Sequence, residues 1–346
     1  MCVAVGCGSV NICAELMIIF QLYINFSAKS IKYLKKGEKK CIILVQLLKG
    51  VREMAKCLMC PRGCAVDRNS GERGFCGASN EYIIGSADFH FWEEPCISGR
   101  DGSGAIFFSG CNLKCVFCQN RDISRSIAGK RYTEDELIAK MLELQSRGAH
   151  NINLVTATPY AFFIARTLEK AKKEGLSIPI VYNCGGYESL DTLRALDGLI
   201  DIYLPDFKYF DEDLARSYSA APDYARIAGE AICEMHRQVG KLVLDEKGIA
   251  VRGLIVRHLV LPACREDSKA VLKYISEILP AGEVTLSLMR QYTPDFADAD
   301  APKNLKRRLT SFEYEDVLNY ALSLGFDGFS QGRESAKKEF TPRFDK

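Results

Sequence analysis

The sequence lacks the features that mark several common protein classes. Its 346 residues carry a formal net charge of only +2, because 46 basic and 44 acidic residues are mixed along the chain. This balance argues against the basic footprint of a nucleic-acid-binding protein and favours a small-molecule or protein partner. Internal repeats and low-complexity segments are also absent. With 47% hydrophobic and 26% charged residues, the composition predicts a soluble globular protein with one large domain and a small additional segment.

The sequence also lacks a convincing membrane span or secretory signal. The apolar stretch 10–26 is followed by a basic segment, without a small-residue cleavage site, and it is interrupted by Asn11, Glu15, Gln21 and Asn25. We therefore expect a cytoplasmic protein with no membrane partner. Residues 1–53 are interpreted as an uncertain leader, not necessarily part of the native protein, because Met54 offers an alternative start.

Cysteine, in contrast, is abundant and clustered. The chain has 15 cysteines, and without a secretory leader such clusters favour thiolate ligands over disulfides. Cys111, Cys115 and Cys118 lie on one short segment and can hold three corners of a four-iron cube, which leaves the fourth iron open to a substrate or cofactor. A zinc knuckle is the alternative, but Cys96 and His150, the nearest unclustered candidates for a fourth ligand, lack ligand spacing.

A second group of cysteines precedes this one, in a Gly- and Arg-rich segment too small to build its own core. Its members are Cys57, Cys60, Cys64 and Cys76. Four thiolates within about 20 residues can close a metal site that stabilises such a segment. The spacing leaves open whether this site would hold zinc or an auxiliary iron–sulfur cluster. Reduced core cysteines without a metal are the alternative.

From residue 101 onward, short β-rich apolar runs alternate with amphipathic stretches of helical length. Six strands are predicted, at residues 105–109, 152–157, 178–183, 200–207, 254–261 and 284–289. Repeated βα units imply parallel pairing with right-handed crossovers, and therefore a partial (β/α)6 TIM-like barrel. The predicted organisation is a Cys-rich segment at 54–100, the barrel at 101–330 and a C-terminal tail at 331–346. Functional residues are expected at the carboxyl ends of the strands.

The three-cysteine segment, with Phe117 before its last cysteine, resembles the signature of the radical S-adenosylmethionine (SAM) superfamily. This resemblance implies a 4Fe-4S cluster whose open iron binds SAM. One electron then cleaves SAM to methionine and a 5'-deoxyadenosyl radical, which abstracts a hydrogen atom from the substrate.

Further segments resemble iron–sulfur proteins described as homologues of pyruvate formate-lyase activating enzyme, from about Met54 to near the end of the chain. These segments are residues 93–99, 148–156, 201–208 and 257–262. The resemblance implies the six-unit partial barrel of the radical SAM type. It also implies a radical SAM oxidoreductase.

The same resemblance assigns candidate site residues. Activating enzymes carry a Gly-Gly-Glu after the second strand to receive the methionine amino group, whereas this chain has Thr156-Ala157-Thr158-Pro159. Backbone carbonyls of this segment or Thr158 are the candidate acceptors. Asp206 and Lys208 resemble the Asp-x-Lys motif and are the candidate catalytic pair; a surface ion pair is the alternative. The candidate cofactor-binding residues are Phe117, Asn120, Thr158, Asn183, Gly185, Lys208 and Arg257, the last as a partner of the cofactor carboxylate. The sequence supports two interpretations of His258 equally: a histidine packed in the core, or a residue that transfers a proton.

These expectations favour activation of a glycyl-radical-type protein partner. Radical modification of a small molecule or peptide is the alternative within the superfamily. A non-catalytic iron–sulfur electron carrier or metal sensor is the alternative from another class. An enzyme of this kind would need an electron donor such as flavodoxin or ferredoxin.

Overall fold

The computed structural model describes residues 56–332 together with Ser335 and Phe344. These residues belong to one compact unit, Lys56–Lys346. The predicted leader lies outside the described residues, as does most of the predicted tail. No helix among the described residues is both long and apolar enough to cross a membrane.

A single curved sheet forms the centre of the fold. Its strands are β1 (Tyr82–His90), β2 (Ser103–Phe108), β3 (Lys130–Tyr132), β4 (Ile152–Val155), β5 (Ile180–Cys184), β6 (Ile202–Pro205), β7 (Val243–Leu244), β8 (Ala250–Leu259), β9 (Thr285–Met289) and β10 (Asp327–Ser330). They are ordered β3-β1-β2-β4-β5-β6-β8-β9-β10, with β7 paired to β8. The pairs from β2 through β10 along this order are parallel, whereas β1 and β3 are antiparallel.

The six predicted strands correspond to β2, β4, β5, β6, β8 and β9, so the predicted parallel α/β core is confirmed. Its helices are α1 (Pro95–Ser98), α2 (Arg121–Ser124), α3 (Glu134–Ser146), α4 (Ala161–Lys173), α5 (Leu190–Ala195), α6 (Glu212–Ser219), α7 (Tyr224–Val239), α8 (Arg265–Ile278) and α9 (Ser311–Ser323). The structure adds β10, a seventh parallel strand, and the antiparallel extension β1 and β3.

Local sequence signals explain where several helices begin. Thr133 caps α3: its hydroxyl accepts from the backbone of Glu136, whose carboxylate in turn accepts from the backbone of Thr133. Thr310 and Glu313 form the same capping box at α9. Each reciprocal pair satisfies backbone donors that the first turn of a helix leaves free.

Strand alternation divides the core into two faces. Tyr182, Tyr203 and Val256 belong to the large core that packs against the helices. Their neighbours Val181, Ile202 and Ile255 face the other way, into the concave side of the sheet, because successive strand residues point to opposite faces. Helix α1 contributes Cys96 and Ile97 to this inner cluster. The segment before β2 therefore fills one end of the barrel, and Glu93 and Glu94 enter the interior with it.

Candidate active site

A cavity of ≈ 220 Å³ lies at the carboxyl ends of the parallel strands. The loops after β2, β5 and β6 all contribute to it, as expected where βα loops converge over one opening. Its lining includes Cys111, Cys115, Cys118, Phe117, Asn120, Asn183, Gly185, Asp206, Lys208 and Arg257. The structure thus brings together every predicted cluster and cofactor residue except Thr158.

The loop after β2 carries the three cysteines and is held by backbone contacts. The Lys114 N–H donates to the Ser219 carbonyl at 3.3 Å, and the Val116 N–H donates to the Tyr218 carbonyl at 2.9 Å. Gly110 has a φ of +87°, and a Cβ there would lie 2.7 Å from the Cys76 carbonyl oxygen. Glycine is therefore required at the entry to this loop, for both its backbone conformation and its close contact.

Each of the three sulfurs receives a hydrogen-bond donor. The Leu113 N–H donates to Cys111 Sγ at 3.4 Å. The hydroxyls of Ser219 and Ser124 donate to Cys115 Sγ at 2.9 Å and to Cys118 Sγ at 3.4 Å, respectively. Such donors favour thiolates and orient metal ligands.

Burial raises the pKa of the Cys111 and Cys118 thiols. They would therefore be protonated at neutral pH without a cationic group between them. The donor set fits an iron–sulfur cluster, which supplies that positive charge.

Among the described residues, no three His, Cys, Asp or Glu side chains are gathered around one metal-ion position. The ligands of a four-iron cube bind separate irons and do not converge on one atom.

A partly buried chain of alternating charges lines the same cavity as the cysteines. Lys208 Nζ lies 2.5 Å from Asp206 Oδ2, and Arg257 Nε lies 2.9 Å from Asp206 Oδ1. Arg257 Nη1 continues to Glu93 Oε2 at 3.1 Å, and its Nη2 donates to Asn183 Oδ1 at 2.6 Å. Such a chain lets several charges stay buried because each has an opposite partner. The alternative of a surface ion pair for Asp206 and Lys208 is therefore wrong.

The titration of this chain follows from its contacts. Burial would raise the pKa of Asp206, but Arg257 and Lys208 together hold it below its usual value. Burial also raises the pKa of Glu93, and Arg257 offsets that rise only in part. Although burial opposes the charge of Lys208, Asp206 and Cys115 raise its pKa, so the ammonium stays protonated. Its two other N–H donors have no acceptor among the described residues, so they are available to a ligand.

Glu93 and Asn153 are the contributors to this network that the sequence analysis missed. The side-chain amides of Asn153 and Asn183 both donate to Glu93 Oε1 at 3.1 Å. Glu93 lies in the segment after β1, which is distant in sequence from the strands that carry its partners. In the sequence it is part of a charged pair directly before the apolar residues of α1, and nothing there indicates which residues this pair contacts.

The loop after β5 makes a tight glycine turn beside the cavity. A Cβ on Gly185 would lie 2.9 Å from Leu113 Cδ1 in the cysteine loop. Gly186 has a φ of +76°, and a Cβ there would lie 2.1 Å from the Asp206 carbonyl oxygen. Both glycines are needed for the loops after β2, β5 and β6 to approach one another.

Thr158 lies away from the cavity. It begins a short 3-10 turn, and its hydroxyl donates to Glu188 Oε1 at 2.7 Å in the core. Thr156 lines the cavity instead, with a φ of +62° that is rare for a threonine. The strained residue at the end of β4 therefore takes the position that the sequence analysis gave to Thr158.

His258 is a satisfied core histidine. Nδ1 lies 2.7 Å from the Phe207 carbonyl oxygen, and Nε2 lies 2.9 Å from Ser268 Oγ. Burial lowers its pKa to about 4, so the ring is neutral at physiological pH. Of the two readings left open by the sequence, the structure supports the packing role.

Comparison with known proteins agrees with this site. The family model described as "Radical SAM superfamily" matches residues 105–238, which include the cysteine loop and Asp206 and Lys208. The chain is 31% identical over 317 residues to "Uncharacterized protein MJ0674" of Methanocaldococcus jannaschii, covering 88% of this chain and 84% of that protein.

This chain belongs to the radical SAM superfamily. It is also 27% identical over 194 residues to the pyruvate formate-lyase-activating enzyme of Clostridium pasteurianum, covering 52% of this chain and 71% of that enzyme. Among solved structures, a radical SAM methyltransferase from Sphaerobacter thermophilus matches 70% of each chain with a TM-score of 0.45 and 15% identity. Membership of the radical SAM superfamily implies a 4Fe-4S cluster and SAM as cofactors.

The buried Glu188 of this radical SAM fold gives a stability prediction. Burial raises its pKa to about 8, although Thr158 and Tyr182 donate to it. The folded protein therefore binds a proton that the unfolded chain releases near pH 4.5. Stability should fall by about 1.4 kcal/mol per pH unit as pH rises from near 4.5 toward 8. Glu188→Gln should remove this slope and stabilise the protein most at pH 8, measured by urea unfolding at pH 5, 6.5 and 8.

The control for this prediction is Glu212→Gln, at an exposed position in the first turn of α6. This variant should keep the slope of the parent protein. Parallel pH profiles for Glu188→Gln and the parent would show that Glu188 does not titrate between pH 5 and 8.

Proposed function

We propose that Cys111, Cys115 and Cys118 hold the catalytic cluster, and that the enzyme uses SAM to place a radical on a glycyl-radical-type protein partner. The observation that carries this proposal is the convergence of the cysteine loop with Lys208 and Asp206 over one cavity. When bound, the 4Fe-4S cluster supplies the electron that cleaves SAM to methionine and a 5'-deoxyadenosyl radical. The remaining steps depend on how the chain's own residues orient SAM and the substrate.

Lys208 is the residue best placed to bind the SAM carboxylate. It is charged and partly buried, two of its N–H donors have no acceptor among the described residues, and its charge acts on Cys111, Cys115 and Cys118. Arg257 lines the same cavity, but its Nε, Nη1 and Nη2 already donate to Asp206, Glu93 and Asn183. We therefore propose that Arg257 acts on the carboxylate indirectly. It holds Asp206, which in turn fixes the position of Lys208.

Asp206 and Asn183 would orient the rest of SAM. Asp206 accepts from both Lys208 and Arg257, so its carboxylate is fixed on the cavity wall and is available to a sugar hydroxyl or a substrate N–H. Phe117 packs edge-on against Tyr218 and Tyr292, which fixes its ring beside the cluster loop. Thr156, with its oxygen atoms at the end of β4, replaces the absent acidic residue as the candidate acceptor for the SAM amino group.

Similarity to the pyruvate formate-lyase-activating enzyme of Clostridium pasteurianum supports a glycyl-radical protein as the substrate. A second candidate, a small polar molecule or a peptide, is favoured by the charged wall of a cavity of only ≈ 220 Å³. Either reaction needs one electron for each cleavage event, and we propose flavodoxin or ferredoxin as the donor.

The test begins with anaerobically reconstituted protein, SAM and either dithionite or reduced flavodoxin. Formation of 5'-deoxyadenosine supports SAM cleavage, and an intact cluster that neither reacts with SAM nor changes its spectrum with it would indicate an electron carrier. The partner is tested separately, with glycyl-radical proteins encoded beside this gene. A glycyl electron-paramagnetic-resonance (EPR) doublet that requires SAM supports the proposal. Competent SAM cleavage with an unmodified partner would favour the small-molecule reaction.

Lys208→Met should weaken SAM binding about 10- to 100-fold, because one charge-assisted hydrogen bond to a carboxylate contributes about 1.5–3 kcal/mol. Lys208→Arg should recover part of the affinity. The measurement is a SAM titration followed by the cluster EPR signal. The matched control is Lys140→Met on α3, where the lysine pairs with Glu143 at the surface. An unchanged dissociation constant for Lys208→Met would exclude this role.

A further inference from the structure

We infer that Cys57, Cys60, Cys64 and Cys76 hold a second 4Fe-4S cluster, closed by four protein ligands and located beside the SAM-cleaving site. All four are free thiols in the structure. Three of them lie on one short loop with spacing x2 then x3, the reverse of the x3 then x2 spacing in the catalytic loop. Cys76 arrives from a separate turn and supplies the fourth ligand that the catalytic loop lacks.

The two cysteine groups share a hydrogen-bonding arrangement. In the catalytic loop, the backbone N–H of Leu113 donates to Cys111 Sγ at 3.4 Å. In the second group, the backbone N–H of Phe75 donates to Cys64 Sγ at 3.3 Å. Backbone N–H donors to cysteine sulfurs are a feature that tunes iron–sulfur clusters.

The turn that leads to Cys76 also makes room for the Cys64 sulfur. A Cβ on Gly74 would lie 2.9 Å from that sulfur, so glycine leaves room for it. Cys64 is thereby oriented by the turn that carries Cys76.

A buried cation also lies against this group. Arg68 is 6% exposed, and its Nη2 donates to Cys76 Sγ at 3.4 Å. Nη1 donates to the Pro159 carbonyl at 2.5 Å, whereas Nε has no hydrogen-bond acceptor among the described residues. A buried guanidinium with an unused donor requires a negative partner. A cluster bound by four thiolates carries a net negative charge and would provide one.

The second site lies directly beside the first. The Cys76 carbonyl is in close contact with Gly110, the residue before Cys111. Arg62, in the loop between Cys60 and Cys64, donates through Nε to the Asn112 carbonyl at 2.8 Å and stacks over the Phe75 ring at 3.9 Å. A cluster in the second group would therefore order the loop that holds the catalytic cysteines.

The test uses the triple variant Cys111→Ala, Cys115→Ala, Cys118→Ala, from which the catalytic cluster is absent by design. After anaerobic reconstitution with iron and sulfide, we expect about four iron and four sulfide per chain and the EPR signal of a reduced 4Fe-4S cluster. Adding Cys76→Ala should abolish this iron. Adding Cys233→Ala, which removes a half-buried cysteine on α7, should leave it unchanged.

One zinc per chain in the triple variant, or a folded triple variant that binds no metal, would overturn the inference. If the triple variant does not fold, the wild-type protein decides: about eight iron per chain supports two clusters, and about four supports one. None of these readouts depends on SAM cleavage, so failure of the proposed function would not affect them.

Discussion

Cys118→Ser should reduce 5'-deoxyadenosine formation by at least about 10³-fold, equivalent to about 4 kcal/mol. A serine hydroxyl is a harder and far less acidic ligand than a thiolate, so it holds iron weakly at this position. Cys111 and Cys115 cannot replace it, since each is needed for a different iron. The measurement is product formation by liquid chromatography, with iron content determined on the same sample.

The matched control is Cys233→Ser. Cys233 lies on α7, and its sulfur contacts the Ile278 carbonyl at 3.9 Å, outside the cavity. This variant should retain the iron content and SAM cleavage of the parent protein. Full activity of Cys118→Ser, or equal losses in both variants, would contradict the assignment of the catalytic cluster to Cys111, Cys115 and Cys118.

The parallel core of this fold could be predicted from sequence because each of its strands is a short apolar run between helical segments. Strand β1 gave a weaker signal, since Gly85 interrupts it. That glycine is explained only by a tertiary contact: a Cβ there would lie 2.5 Å from Ile123 Cγ2. Strand β10 also gave a weak sequence signal, because it is only four residues long and includes a glycine. This residue, Gly328, has a φ of +144° and packs against the Leu286 backbone.

The candidate site was predictable where its residues are local in sequence. The three cysteines are separated by a few positions, and Asp206 and Lys208 alternate at the end of one strand, so spacing alone places them together. Glu93 and Arg257 are 164 positions apart, and only the folded chain pairs them. Thr158 was misplaced for a related reason, because the 3-10 turn after β4 directs its hydroxyl to Glu188.

Arg257→Met should destabilise the folded protein by about 3–5 kcal/mol at pH 7. The substitution takes the cation away from the largely buried carboxylate of Glu93 and leaves Asp206 with Lys208 alone. An uncompensated buried charge is the costly result of breaking such a pair. Without the guanidinium, burial should raise the pKa of Glu93 further above its unfolded value. The added instability should therefore grow as pH rises above the unfolded pKa and should be smaller near pH 5.

Urea unfolding of the Arg257→Met protein under anaerobic conditions tests this expectation. Glu93→Gln in the Arg257→Met background should restore part of the lost stability, since a neutral amide needs no counter-charge. Arg265→Met is the surface control. Arg265 pairs with Asp316 at 3.1 Å, both side chains are partly exposed, and its loss should cost no more than about 1 kcal/mol. Equal losses of stability in the two arginine variants would mean that the charges of the cavity wall are solvated. In that case Arg257 would not hold Asp206 and Lys208 in place beside the cysteine loop.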